Sequence, residues 1–154
     1  MPKSKKIIVD LDVVTLAFWD KKDEARLIER IKANEFEMVC PYIILNHLLR
    51  WDYKKLAEEI REFYEKYSSG ILTAKILLEK TEEVNVEYYE LLDELISIGV
   101  KEEDVVLVII SSLFNIDYLI TFNRKHLKNK EKEIGEVLEK YGIKSIKIKT
   151  PSEV

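Results

Sequence analysis

The feature that most constrains this chain is a set of short apolar runs that do not alternate. IIV at Ile7 to Val9, MVC within FEMVC and YLI within IDYLIT are near-continuous, and longer segments of helical periodicity lie between them. A strand wetted on one face alternates apolar and polar residues, whereas one that is apolar throughout is covered on both faces. Short buried strands separated by helices imply a parallel sheet with helices on either side.

The helical segments support this order. DVVTLAFWD and KDEARLIERIKAN follow the first strand, the second with Leu27, Ile28 and Ile31 at helical spacing. After FEMVC, Pro41 suits the first turn of PYIILNHLLRW. YKKLAEEIREFYEKY is the clearest helix, with Leu56, Ile60, Phe63, Tyr64 and Tyr67 on one face, and SSG at Ser68 to Gly70 breaks it. ILTAKILLEK fits helix or strand. VEYYELLDELISIG ends at Gly99, a C-cap residue, and KEEDVVLVIISSLFN is an apolar helix opened by acids. EKEIGEVLEKYG ends at Gly142, and IKSIKIKT is a final alternating strand. The expectation is a single α/β domain over residues 1–154, with a central parallel sheet of four to five short strands flanked by helices.

An apolar fraction of 47% and a charged fraction of 35% belong to a folded globular chain. No apolar run approaches the roughly 20 residues of a membrane span. MPKSKK precedes only IIV before Asp10 interrupts, so it does not read as a secretory signal. Cys40 is the only cysteine, which excludes an internal disulfide and a cysteine-rich zinc site. A cytoplasmic location is the resulting expectation.

Net charge is −4, but its distribution is uneven. Arg124, Lys125, Lys128, Lys130 and Lys132 fall in one stretch with a single acid, Glu131, and Lys144, Lys147 and Lys149 follow. Alone, such a run is an ordinary solvated surface. Beside a chemical centre it becomes a rim for a polyanion.

In open parallel sheets, sites lie beyond the carboxyl ends of the strands. Asp10 ends the first strand with Asp12 just past it, and Thr121 and Asn123 end the strand that begins near Asp117. Asp104 opens the apolar helix that feeds that strand, and Asn46 lies one turn inside the helix after the second strand. Asp12 and Asp104 each have a simpler use as helix caps. Asp10 at the end of a buried strand needs a partner or a metal, and Asn46 among Ile43, Ile44, Leu45, Leu48 and Leu49 is costly if buried unpaired.

This constellation resembles the PIN-domain nucleases, a family that includes VapC-like toxin ribonucleases of toxin–antitoxin pairs. IIVDLDVV is similar to the family's opening strand and PYIILNHLL to the helix that normally carries a glutamate. EEDVVLVIISSLFNIDYLITFNRKHL resembles its acid-led helix, Asp-containing strand start and Thr-x-Asp/Asn turn, and YGIKSIKIKTPSE its ending. The resemblance spans nearly the whole chain. It implies a metal-dependent endoribonuclease, with Mg²⁺ or Mn²⁺ on Asp10, Asp104 and Asp12, and with Asn123 and Asn46 completing the catalytic set. Thr121, Arg124, Lys125, His126 and Lys128 would contact RNA. The sequence departs from the family at Asn46, where the second acid normally stands, and at Asn123, where a fourth often does. The alternative implied by those departures is a catalytically weak PIN-fold module that binds RNA or protein. His47 and His126 have no second histidine at matching spacing and suit hydrogen bonding or phosphate contact better than metal ligation. An antitoxin partner and a homodimer are also implied, with Trp51, Tyr53, Phe63 and Tyr64 as the aromatic residues available to an interface.

Overall fold

The computed structural model describes residues 4–19 and 22–154. The first residues of MPKSKK and Asp20, the last residue of DVVTLAFWD, lie outside them. β1 (Lys5–Val9) leads into α1 (Leu11–Ala17) and α2 (Lys22–Lys32), and β2 (Phe36–Pro41) into α3 (Tyr42–Leu49) and α4 (Lys54–Tyr67). β3 (Ser68–Leu72) is followed by α5 (Ala74–Glu83), α6 (Tyr88–Ser97) and α7 (Glu102–Leu113). β4 (Tyr118–Ile120), α8 (Glu131–Lys140) and β5 (Ile148–Lys149) complete the chain.

The five strands form one parallel sheet in the order β3-β2-β1-β4-β5. β1 is central, and Ile7, Ile8 and Val9 are wholly buried, as a run without alternation requires. From β1 the chain winds outward through β2 and β3, then returns to lay β4 on the other side of β1. That reversal leaves a crevice beyond the carboxyl ends of β1 and β4, the usual place for a site in an open sheet. α7 is apolar on every side and buried from Val105 to Leu113. A helix of that kind belongs inside the molecule, and it carries Asp104 toward the crevice on its first turn. The Tyr64 hydroxyl, fully buried, donates to the Val9 carbonyl at 2.7 Å and ties α4 to the end of β1 just before Asp10.

Three local expectations change. Ser68 to Gly70 does more than break α4. Ser68 turns extended at the helix end, and the chain runs straight into β3, pairing Met38 with Ser68 and Cys40 with Ile71. An edge strand that is half exposed carries little apolar signal, which is why the sequence reads only a breaker there. Within ILTAKILLEK, Ile71 and Leu72 close that strand, and the Thr73 hydroxyl caps α5 by accepting from the Ile76 N–H. In IKSIKIKT, only Ile148 and Lys149 pair with β4.

Candidate active site

The crevice at the switch point is built by a three-residue turn, Thr121, Phe122 and Asn123, that grips three carboxylates in succession. The Thr121 hydroxyl donates to Asp10 Oδ2 at 2.8 Å. The Phe122 N–H donates to Asp12 Oδ2 at 3.3 Å. The Asn123 Nδ2 donates to Asp104 Oδ2 at 2.9 Å. Asn123 also folds the turn on itself, giving its N–H to Thr121 Oγ1 at 3.1 Å and accepting the His126 N–H on Oδ1 at 2.9 Å. With its carbonyl, N–H and amide engaged, a short Asx side chain fixes a tight turn. Thr121 is fully buried, and its position is set by β4, whose neighbours are β1 and β5.

Asp10 is the N-cap of α1: its Oδ1 accepts the Leu11 N–H at 2.8 Å. Asp12 is therefore not the cap. It sits inside the first turn, aimed at the turn after β4. Asp104 likewise does not cap α7, whose cap position is Lys101.

These carboxylates are poorly neutralised. Burial pushes the Asp10 carboxyl up, and the Thr121 and Leu11 hydrogen bonds oppose the shift only in part. Asp12 is pushed up to about 7, first by burial and then by the Asp10 charge, and Asp104 to about 7 by the same two causes. Asp12 Oδ1 is buried and accepts no hydrogen bond among the described residues. Carboxyl groups crowded and desolvated in a cleft are a mark of functional sites.

Asp10, Asp12, Asp104 and Asn123 line one cleft of about 450 Å³. Its walls also include His47, Lys101, Glu103 and Trp51. His47 Nε2 lies 3.6 Å from a Glu103 carboxylate oxygen. Lys101 was findable, since it stands three residues before Asp104 and shares its helix face. The meeting of α3 with α7 that places His47 beside Glu103 has no local signal.

Other candidates stand elsewhere. Asn46 is exposed rather than buried in its apolar helix, and it lines a neighbouring groove with Tyr42 and Glu102, not the acid cleft. Its helix turns His47, one residue on, toward the acids. Arg124 and Lys125 are exposed in the loop after β4. Lys128 is not part of that open rim: its Nζ donates to the Ile148 carbonyl at 2.7 Å and lies 3.5 Å from Glu153. His126 places Nδ1 3.1 Å from the Gly99 carbonyl, a tie between the loop and the end of α6. Of the aromatic residues considered for an interface, Phe63 and Tyr64 belong to the core, Trp51 lines the cleft, and Tyr53 is exposed.

With this geometry in place, the chain is similar to a solved structure. A chain of VapBC2 from Rickettsia felis, in a crystal structure bound to a DNA fragment from their promoter, superposes with a TM-score of 0.62. Identity is 14%, over 94% of this chain and 98% of that one. The fold is PIN-like. No family model and no curated protein matches the sequence. In this PIN-like chain no helix among the described residues is long and apolar enough to cross a membrane.

The donor set fits a hard divalent cation. Three carboxylates offer oxygen ligands, one carboxylate oxygen is buried without a partner, and the Asn123 amide oxygen is already taken by the His126 N–H. Among the described residues no three His, Cys, Asp or Glu side chains are grouped to close on one ion. Part of the coordination would fall to water, which Mg²⁺ in particular retains.

Proposed function

We propose that this protein is a metal-dependent endoribonuclease of PIN type that hydrolyses RNA phosphodiester bonds, the toxin of a toxin–antitoxin pair acting as a cytoplasmic homodimer. The observation that carries the nuclease reading is the acid triad at the switch point, each member held by one residue of the Thr121–Asn123 turn. The likeness in fold to VapBC2 from Rickettsia felis supports the toxin–antitoxin assignment and an antitoxin protein as partner.

Asp10, Asp12 and Asp104 would hold Mg²⁺ or Mn²⁺, with Asn123 beside them. When bound, the ion supplies charge neutralisation at the phosphate and a more acidic water. The chain's own residues do the rest. Leu11 N–H and Thr121 Oγ1 hold both oxygens of Asp10 in a fixed orientation. Asn123 fixes Asp104 while keeping its oxygen on the His126 N–H. Asp12 Oδ1, buried and without a hydrogen-bond partner, is the oxygen this turn leaves for the ion. Lys101 and His47 face the cleft as groups able to meet phosphate oxygens, and Arg124 and Lys125 extend the contact along the backbone without reading sequence.

A second reading is favoured by Asn46, which adds no charge to the cleft: a PIN-fold module that binds RNA or protein and cuts weakly or not at all. The experiment that separates the two is cleavage of a labelled single-stranded RNA with Mn²⁺ beside an EDTA control. Metal-dependent cutting establishes the nuclease. Inert protein at every metal concentration leaves the binding module, and equal cutting in EDTA overturns the metal's role.

A further inference from the structure

A second groove, about 540 Å³, runs alongside the acid cleft and shares three wall residues with it, Ile43, His47 and Glu103. That volume is within the range of pockets that seat small organic groups. Its distinctive lining is aromatic: Tyr42 and Tyr88 are half-buried, while Tyr89 is 66% exposed. The Tyr88 and Tyr89 rings meet edge-to-face at 5.3 Å and 84°, so the buried ring braces the exposed one. Asn46 and Arg50, both exposed, stand on the same wall, and Arg50 has no ion-pair partner among the described residues. An exposed tyrosine braced by a second ring, with a guanidinium nearby, lacks a role in holding the fold.

We infer that this groove seats a nucleotide flanking the scissile phosphate, with its base stacked on Tyr89 and its phosphate met by Arg50. The inference rests on the nuclease reading of the acid cleft and adds to it a base-stacking subsite outside the carboxylates. Bases within a duplex already stack on one another and offer no face to a side chain, whereas single-stranded bases stack on aromatic rings without regard to sequence. Glu102 and Glu103 also line the groove. Their charge suits a base and ribose through most of its length, and leaves Arg50 as the phosphate contact. Glu103 has His47 Nε2 3.6 Å away. Asn46 adds an amide able to meet a base edge.

The test is binding of a short labelled single-stranded RNA by fluorescence anisotropy in Ca²⁺, with cleavage in Mn²⁺ measured in parallel. Tyr89→Ala weakens binding about tenfold, the size of one lost base stack, and Tyr89→Phe retains it. An abasic residue scanned through the RNA costs wild type about the same factor at one position near the cut, and costs Tyr89→Ala nothing there, as a double-mutant cycle requires. Tyr89→Ala binding like wild type overturns the inference and leaves the groove to a protein segment, while cleavage by wild type keeps the nuclease reading. Tyr89→Phe as weak as Tyr89→Ala assigns the contact to the hydroxyl and overturns stacking. RNA neither bound nor cut by wild type overturns both readings together.

Discussion

Two threonines end neighbouring strands, and the carboxylates they touch are in opposite states. Thr121 follows β4 and Thr150 follows β5 at the same register position, with the Thr121 N–H on the Lys149 carbonyl at 2.9 Å. At Thr150 the charges are satisfied. The Glu153 carboxylate accepts both the N–H and the hydroxyl of Thr150 at 2.8 Å, faces Lys128 at 3.5 Å, and is lowered to about 2, chiefly by the backbone hydrogen bond. A capping box of this kind closes the last turn of the chain. At Thr121 one hydroxyl serves an acid crowded by two more, and the nearest turn supplies one donor to each instead of a cation. One cluster spends its polar groups on fixing the chain end. The other keeps like charges together at a cost to stability, the pattern expected where a ligand supplies the missing charge.

The largest effect comes from removing charge at the conflicted threonine. Asp10→Asn keeps an oxygen for the Leu11 N–H and nearly constant volume, so the fold persists. Metal-dependent RNA cleavage falls by at least about 10²-fold, the scale of a lost charge-stabilising group. Mn²⁺-dependent cleavage with a parallel thermal melt checks this, and full activity in the variant would end the metal-site reading.

Next in size is RNA affinity, which separates open from committed cations. Arg124→Ala with Lys125→Ala lowers the slope of log affinity against log salt by about 1.4, at about 0.7 per phosphate contact on single strands. Lys128→Ala leaves that slope as it is, since its ammonium is held by Ile148 and Glu153. A salt titration of RNA binding decides between them.

The two clusters also respond to pH with opposite sign. Glu153 binds fewer protons folded than unfolded between about 2 and its ordinary 4.5, so stability rises with pH across that window. Asp12 and Asp104 bind more protons folded than unfolded between 3.8 and about 7, so their contribution is lost as pH rises through that range. The metal-free protein therefore loses melting temperature from about pH 4 to 7, and Asp12→Asn flattens the decline. Mn²⁺ restores stability above pH 7, where the carboxylates are ionised and no proton competes for them. A melt series with and without EDTA reads this; a decline that persists unchanged in Asp12→Asn would remove that residue from the conflict.

The smallest effect lies at the satisfied end. Glu153→Ala costs about 1 kcal/mol, the typical worth of a cap, or about 2–4 °C in a chain of this size. RNA cleavage is unaffected. A matching loss of activity would show that the two clusters are coupled through β5.

The sequence by itself determined the parallel sheet, the covering helices, and Asp10, Asp104, Thr121 and Asn123 as the residues at strand and helix ends, because apolar runs and acids at fixed offsets are local signals. It overstated Ser68 to Gly70 as a breaker, since an edge strand earns its place from a neighbour's hydrogen bonds and not from its own composition. Tertiary structure alone decided why Asn46 faces a tyrosine groove while His47 faces the acids, and why Lys128 is committed to Ile148 and Glu153. The choice between Asn46 and His47 depends on the rotation of α3 against partners distant in the chain. A side chain one residue further along a helix points about 100° away, and only packing fixes which of two neighbours meets the site.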